Sequence, residues 1–78
     1  MSRAGLRQIN PAKLLLSKWT AASPVNKEKH FLVVKLLEPE TADARLEFVE
    51  LEAIYSKRVI TIPWRQLTNS SAWLQGWQ

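Results

Sequence analysis

The side chains with chemistry to offer in this sequence are cations interleaved with aromatic rings. Lys13, Lys18, Lys27, Lys29, Lys57, Arg58 and Arg65 alternate along the chain with Trp19, Phe31 and Trp64. A single-stranded nucleic acid asks for this combination, because Lys and Arg neutralise its phosphates and flat rings stack on its bases. Lys18, Lys27, Lys29, Lys57 and Arg58 are the candidate phosphate contacts, with Trp19 or Trp77 as the stacking surface. Core packing competes for the same rings, since a chain of 78 residues has a thin core that leans on its aromatics. Trp64, in phase with Ile60 and Ile62, is expected inside, and Trp77 is the Trp expected to be most exposed.

A second binding chemistry lies in Trp73-Leu74-Gln75-Gly76-Trp77. Trp and Arg dominate protein–protein hot spots, so Trp73 and Trp77 are candidate contacts for a protein partner. A helical turn there would put the two rings on one side.

Catalytic chemistry finds little support. His30 is the one histidine, and there is no cysteine. Thiolate zinc sites and disulfides are thereby excluded, and no ligand set surrounds His30 at metal-binding spacing. None of the serines stands in a glycine-flanked elbow. Glu50 and Glu52 alternate along one predicted strand and read as a solvated acidic face rather than a glycosidase pair. Gly5 and Gly76 cannot build a phosphate-cradling loop. The expectation is a non-enzymatic binding module without a cofactor, taking RNA or another polyanion, or alternatively a protein partner.

The net charge of +4 is unevenly spread. Residues 1–29 carry +5, residues 30–52 carry −4 and residues 53–78 carry +3. This layout folds either into opposed basic and acidic faces or into charge complementarity between neighbouring strands. A chain without cysteine suits a reducing compartment. No signal-peptide h-region follows Arg3 and Arg7, and no apolar run approaches the about 20 residues that span a bilayer. A cytoplasmic protein that does not enter the membrane is expected.

The elements that position these residues are mostly strands. Met1–Ile9 reads as a flexible basic tail and 10–78 as a single small β-rich domain. Asn10-Pro11 starts a helical turn over Ala12–Leu16, because Asn caps and Pro suits the first helical position. Ser17–Ala22 is a weaker strand and Phe31–Leu37 the clearest one. Glu38–Ala44 is a hairpin loop. Leu46–Tyr55 is a strand whose apolar phase switches between Phe48 and Val49, as a bulge would make it. Val59–Trp64 follows, with Pro63 at its end or on an edge. A C-terminal helical turn over Ala72–Gln75 ends at Gly76. The fold predicted is mainly β, a small antiparallel sheet or SH3-like barrel of three to four strands with short helical turns near both ends.

The ordered motifs Leu16-Ser17-Lys18-Trp19-Thr20-Ala21, Lys27-Glu28-Lys29-His30-Phe31, Ile62-Pro63-Trp64-Arg65-Gln66-Leu67 and Trp73-Leu74-Gln75-Gly76-Trp77 resemble the small bacterial tryptophan-rich conserved hypothetical proteins. The likeness runs from about Ile9 to Trp77. It implies a one-domain bacterial cytoplasmic protein and carries over no catalytic or binding residues. It directs attention to Lys18 beside Trp19 and to Lys27-Glu28-Lys29-His30, polar groups that packing alone does not explain.

Overall fold

The computed structural model describes residues 9–39, 41 and 44–78. Five strands, β1 (Lys18–Val25), β2 (Glu28–Leu37), β3 (Phe48–Ala53), β4 (Val59–Pro63) and β5 (Trp73–Gln75), form one antiparallel sheet in the order β4-β3-β2-β1-β5. The sheet is open, and the molecule measures 38 × 37 × 16 Å. The antiparallel sheet is therefore the correct member of the predicted pair, with one strand more than expected. Of the predicted tail, only Ile9 is among the described residues, and it packs against the core. The predicted loop Glu38–Ala44 falls partly outside them.

One face of the sheet carries the core. Trp19, Phe31, Val33, Val49, Leu51, Ala53 and Trp73 are buried there, with Leu14 and Leu67 closing over them from flanking turns. The period of two along β3 accounts for this, since Val49, Leu51 and Ala53 turn inward while Glu50 and Glu52 turn outward. Ile60 and Ile62 of β4 pair with Leu51 and Val49 and extend the same face. Each buried Val, Leu or aromatic side chain contributes on the order of 1.5–3 kcal/mol.

The predicted bulge exists on a different strand. Val33 pairs with Leu51 and Lys35 with Glu50, which leaves Val34 as the extra residue of β2. The shift returns Leu36 to the core face beside Val49, so the run Phe31-Leu32-Val33-Val34-Lys35-Leu36 serves a half-buried strand. In β3 no phase problem arises, because the strand begins at Phe48. Leu46 packs on the core from the preceding loop, and Tyr55, placed by the sequence at the end of this strand, lies in the turn after it and is exposed.

Both helical turns are 3-10. Pro11–Lys13 starts as predicted, with Asn10 Oδ1 accepting the Ala12 N–H at 3.0 Å and Pro11 in first position. The second covers Trp64–Thr68, where Trp64 Nε1 donates to the Leu46 carbonyl at 2.9 Å and Leu67 is fully buried. Trp64 thus packs on the core as expected, one residue beyond the end of β4. The helical turn predicted over Ala72–Gln75 is instead strand β5. The open edge of β1 accepts it, pairing Ala21 with Trp73 and Trp19 with Gln75, and burial of Trp73 outweighs the local turn preference. Trp73 meets Phe31 edge-on at 5.1 Å between centroids, a favoured aromatic geometry.

Candidate nucleic-acid interface

With Trp19 turned into the core, alternation along β1 points Lys18 and Thr20 to the opposite, open face. Thr20 pairs with His30 and Lys18 with Leu32, so His30 and Leu32 share that face. Thr20 is nevertheless only 1% exposed. Its cover is the segment that follows β5. Gly76 adopts φ +77, a left-handed conformation open to glycine at little cost, while its N–H donates to the Lys18 carbonyl at 2.8 Å. The chain then crosses to the open face. Thr20 Oγ1 donates to the Gly76 carbonyl at 2.7 Å and accepts the Gln78 N–H at 2.9 Å.

Trp77 is carried across with it. Its Nε1 donates to the Phe31 carbonyl at 3.0 Å, which fixes the ring without burying it, and the residue stays 43% exposed. Lys18 Nζ lies 4.9 Å from the ring centroid. The His30 ring lies 5.8 Å away, tilted by 36°. His30 Nε2 is 3.0 Å from the Gln78 backbone oxygen, and an oxygen of that kind only accepts, so Nε2 holds the proton. A held aromatic ring, a cation over it and a second ring beside it therefore occupy one patch of the open face.

The second concentration of charge sits at one end of the sheet, where two hairpins meet. Val25-Asn26-Lys27-Glu28 is a two-residue turn with φ of 57° at Asn26 and 63° at Lys27. The turn after β3 is closed by Lys57 N–H to the Ala53 carbonyl at 2.7 Å, and Lys57 itself has φ 65°. The two tips are tied together. Arg58 donates from both Nε and Nη2 to the Glu28 carboxylate, with Nε–Oε2 at 2.9 Å, and the Ser56 hydroxyl donates to the same carboxylate. The Arg58 bonds, followed by the Ser56 bond, hold the Glu28 carboxyl at about 2, against the opposing pull of burial. Lys27 Nζ lies 5.9 Å from the centroid of the exposed Tyr55 ring. Lys29 is exposed opposite a bulge in which Ala21–Pro24 of β1 face this single residue of β2.

Among the described residues no group of three His, Asp or Glu converges to hold a metal ion, and no helix is long and apolar enough to cross a membrane. The family model described as tryptophan-rich protein (DUF2389) matches residues 17–78. The chain belongs to this family. No curated protein and no solved structure matches it.

For this DUF2389 protein the site residues read from the sequence sort into three groups. Lys27, Lys57 and Arg58 come together at the hairpin tips with Lys29 on the adjoining strand, and Lys18 stands apart beside Trp77. Trp19 cannot stack on a base: it is 2% exposed, inside the core, and its Nε1 donates to Ser17 Oγ at 2.8 Å. Trp73 is likewise core, 9% exposed. The paired use of Trp73 and Trp77 on one side fails because strand geometry and the Gly76 crossing put them on opposite faces. Arg58 is engaged by Glu28, so its first duty is to hold the two tips together. Lys57 makes a loose contact with Glu52 at 3.9 Å. Thr20, Tyr55 and Gly76 were not among the candidates, and His30 was singled out by the family-like motif without a binding role. The signal for Gly76 was its place between two Trp, where an ordinary side chain would resist the crossing.

Proposed function

We propose that this tryptophan-rich protein is a non-enzymatic module of the bacterial cytoplasm that binds single-stranded RNA on the open face of its sheet. The observation that carries the reading is the Trp77 ring, fixed through Nε1 to Phe31, partly exposed, and accompanied by Lys18 at 4.9 Å and His30 at 5.8 Å. A base stacks on such a ring at a gain of about 1–3 kcal/mol, and the adjacent ammonium neutralises a phosphate. The acids of the same face do not spoil it. Glu52 has Lys57 beside it, and Glu50 stands across from Lys35 in the strand register. The cysteine-free composition is in keeping with a reducing compartment.

Titration of the full chain with a fluorescein-labelled twelve-nucleotide oligo(U) tests this. Binding should weaken linearly in log–log terms with added KCl, about 0.7 per phosphate contact. Trp77→Ala should lower the affinity at least tenfold, and Trp77→Phe should restore much of it, because a phenyl ring still stacks. Absence of binding at low salt overturns the reading. Capture of a protein partner through Trp77, insensitive to salt, would replace it with the protein-interaction alternative.

A further inference from the structure

Three described residues other than Asn and Gly have left-handed backbones: Leu16 at φ 66°, Lys27 at 63° and Lys57 at 65°. The conformation crowds Cβ against the following carbonyl. At two of these positions the local geometry has an obvious preferred occupant. A two-residue hairpin turn with both central residues left-handed takes Asn-Gly above other pairs, and here Asn26 is followed by Lys27. An i→i+4 turn ending in a left-handed residue is where glycine closes a helix, and here Lys57 closes it. Each hairpin tip therefore carries a lysine at the place where glycine would sit more easily.

The two tips are also one surface. Glu28 joins them through Arg58 and Ser56. The Glu28 charge is consumed in that joint, which leaves Lys27 at 5.9 Å from the exposed Tyr55 ring on one tip and Lys57, loosely paired with Glu52 at 3.9 Å, on the other. Along β2, Lys27 lies three residues before His30, about 10 Å at the strand rise. The tips thus lie beyond His30 at the end of the sheet where β2 begins.

We infer that the paired hairpin tips, through Lys27 and Lys57 with Lys29 beside them, are a second contact region that grips the phosphates of the same RNA strand whose base stacks on Trp77. The inference rests on the RNA reading above and extends it by a site with its own residues. Backbone strain of this kind clusters at ligand-binding positions. Here it holds positive charge at a turn apex, with Lys27 at 5.9 Å from the Tyr55 ring centroid and Lys57 in loose contact with Glu52 at 3.9 Å.

The experiment compares the full-length Lys27→Gly/Lys57→Gly variant with wild type, using the labelled oligo(U) and thermal melts. Relief of strain should raise the melting temperature by several degrees. Loss of two phosphate contacts should reduce the salt slope by about 1.4 and the affinity about twenty-five-fold at 0.1 M KCl. Lys27→Arg/Lys57→Arg should bind like wild type. Lys27→Gln/Lys57→Gln, which keeps the strain and drops the charge, should lose the same affinity without gaining stability. Leu16→Gly should gain stability with no change in binding. A glycine or glutamine pair that binds as wild type does, with an unchanged salt slope, overturns the tip assignment while leaving RNA binding at Trp77 intact. A wild-type protein that does not bind the oligonucleotide overturns the RNA reading, and the tip assignment falls with it.

Discussion

Thr20 and Gln78 share a hydrogen bond that spans the sheet's edge: the Gln78 N–H donates to Thr20 Oγ1 at 2.9 Å, while the same hydroxyl donates to Gly76 at 2.7 Å. One hydroxyl thus holds both ends of the tripeptide that carries Trp77. Thr20→Val keeps the shape and removes both bonds. Stability should fall by about 1–3 kcal/mol, the cost of leaving partly buried polar groups unpaired. Trp77 should also lose its fixed seat, so binding to the oligonucleotide should weaken several-fold although no group proposed to touch RNA has changed. Oligonucleotide titration and fluorescence anisotropy at 295 nm excitation measure both effects.

The Glu28–Arg58 joint should be visible in acid. The folded carboxyl titrates at about 2 against an ordinary value of 4.5, so protonation is easier in the unfolded chain. Its contribution to stability is complete above 4.5 and is lost as pH falls from there through about 2. Urea melts at a series of pH values should show midpoints dropping through that window. Arg58→Ala should flatten the drop and lower the neutral-pH midpoint, since it leaves the carboxylate without the partner that offsets its burial.

The four Trp should not be equivalent to truncation. Trp19→Ala opens the core and should cost about 3–5 kcal/mol, enough to unfold much of a domain of this size. Trp77→Ala loses one hydrogen bond of about 1 kcal/mol and a cation–π contact of about 0.5–1 kcal/mol, and should leave the sheet folded. Circular dichroism melts of the two variants separate these outcomes. Similar losses for both would mean that Trp77 belongs to the core.

Leu16→Gly should stabilise the protein. Leu16 is left-handed and 64% exposed, so the substitution relieves about 1–2 kcal/mol of backbone strain. It gives back about 0.5–1 kcal/mol in chain entropy. A net gain of roughly 0.5–1 kcal/mol is expected in urea denaturation.

The outcome for particular residues shows what a sequence of this kind reveals. Val49, Leu51 and Ala53 against Glu50 and Glu52 were legible because a half-buried strand writes its two faces as alternation. Ile60 and Ile62 were legible for the same reason, and Asn10-Pro11 because capping is local chemistry. Strand β5 was read as a helical turn over Ala72–Gln75, because three residues carry no period and its partner β1 lies more than fifty positions away. The bulge was assigned to the wrong strand, since Val34 is one apolar residue among several and only pairing reveals it as the extra one. Lys27, Lys57 and Arg58 were named as candidates from composition alone. Their convergence depends on two turns being neighbours, and the assignment of Arg58 to Glu28 depends on contacts across 30 positions. Trp19 was misread as a stacking surface because type and neighbouring charge do not say which way a strand faces.

The pairing of β1 with β5 also sets a schedule. The contact from Thr20 to Gly76 spans 56 positions, so on the ribosome β1 waits for that much further chain before its outer edge is covered. Long-range pairing of this kind slows folding. The β1–β4 segment is synthesised first, and Trp19 and Phe31 lack the Trp73 ring until residue 73 arrives. Nascent forms of this protein truncated before residue 73 should therefore be the ones that aggregate or recruit chaperones.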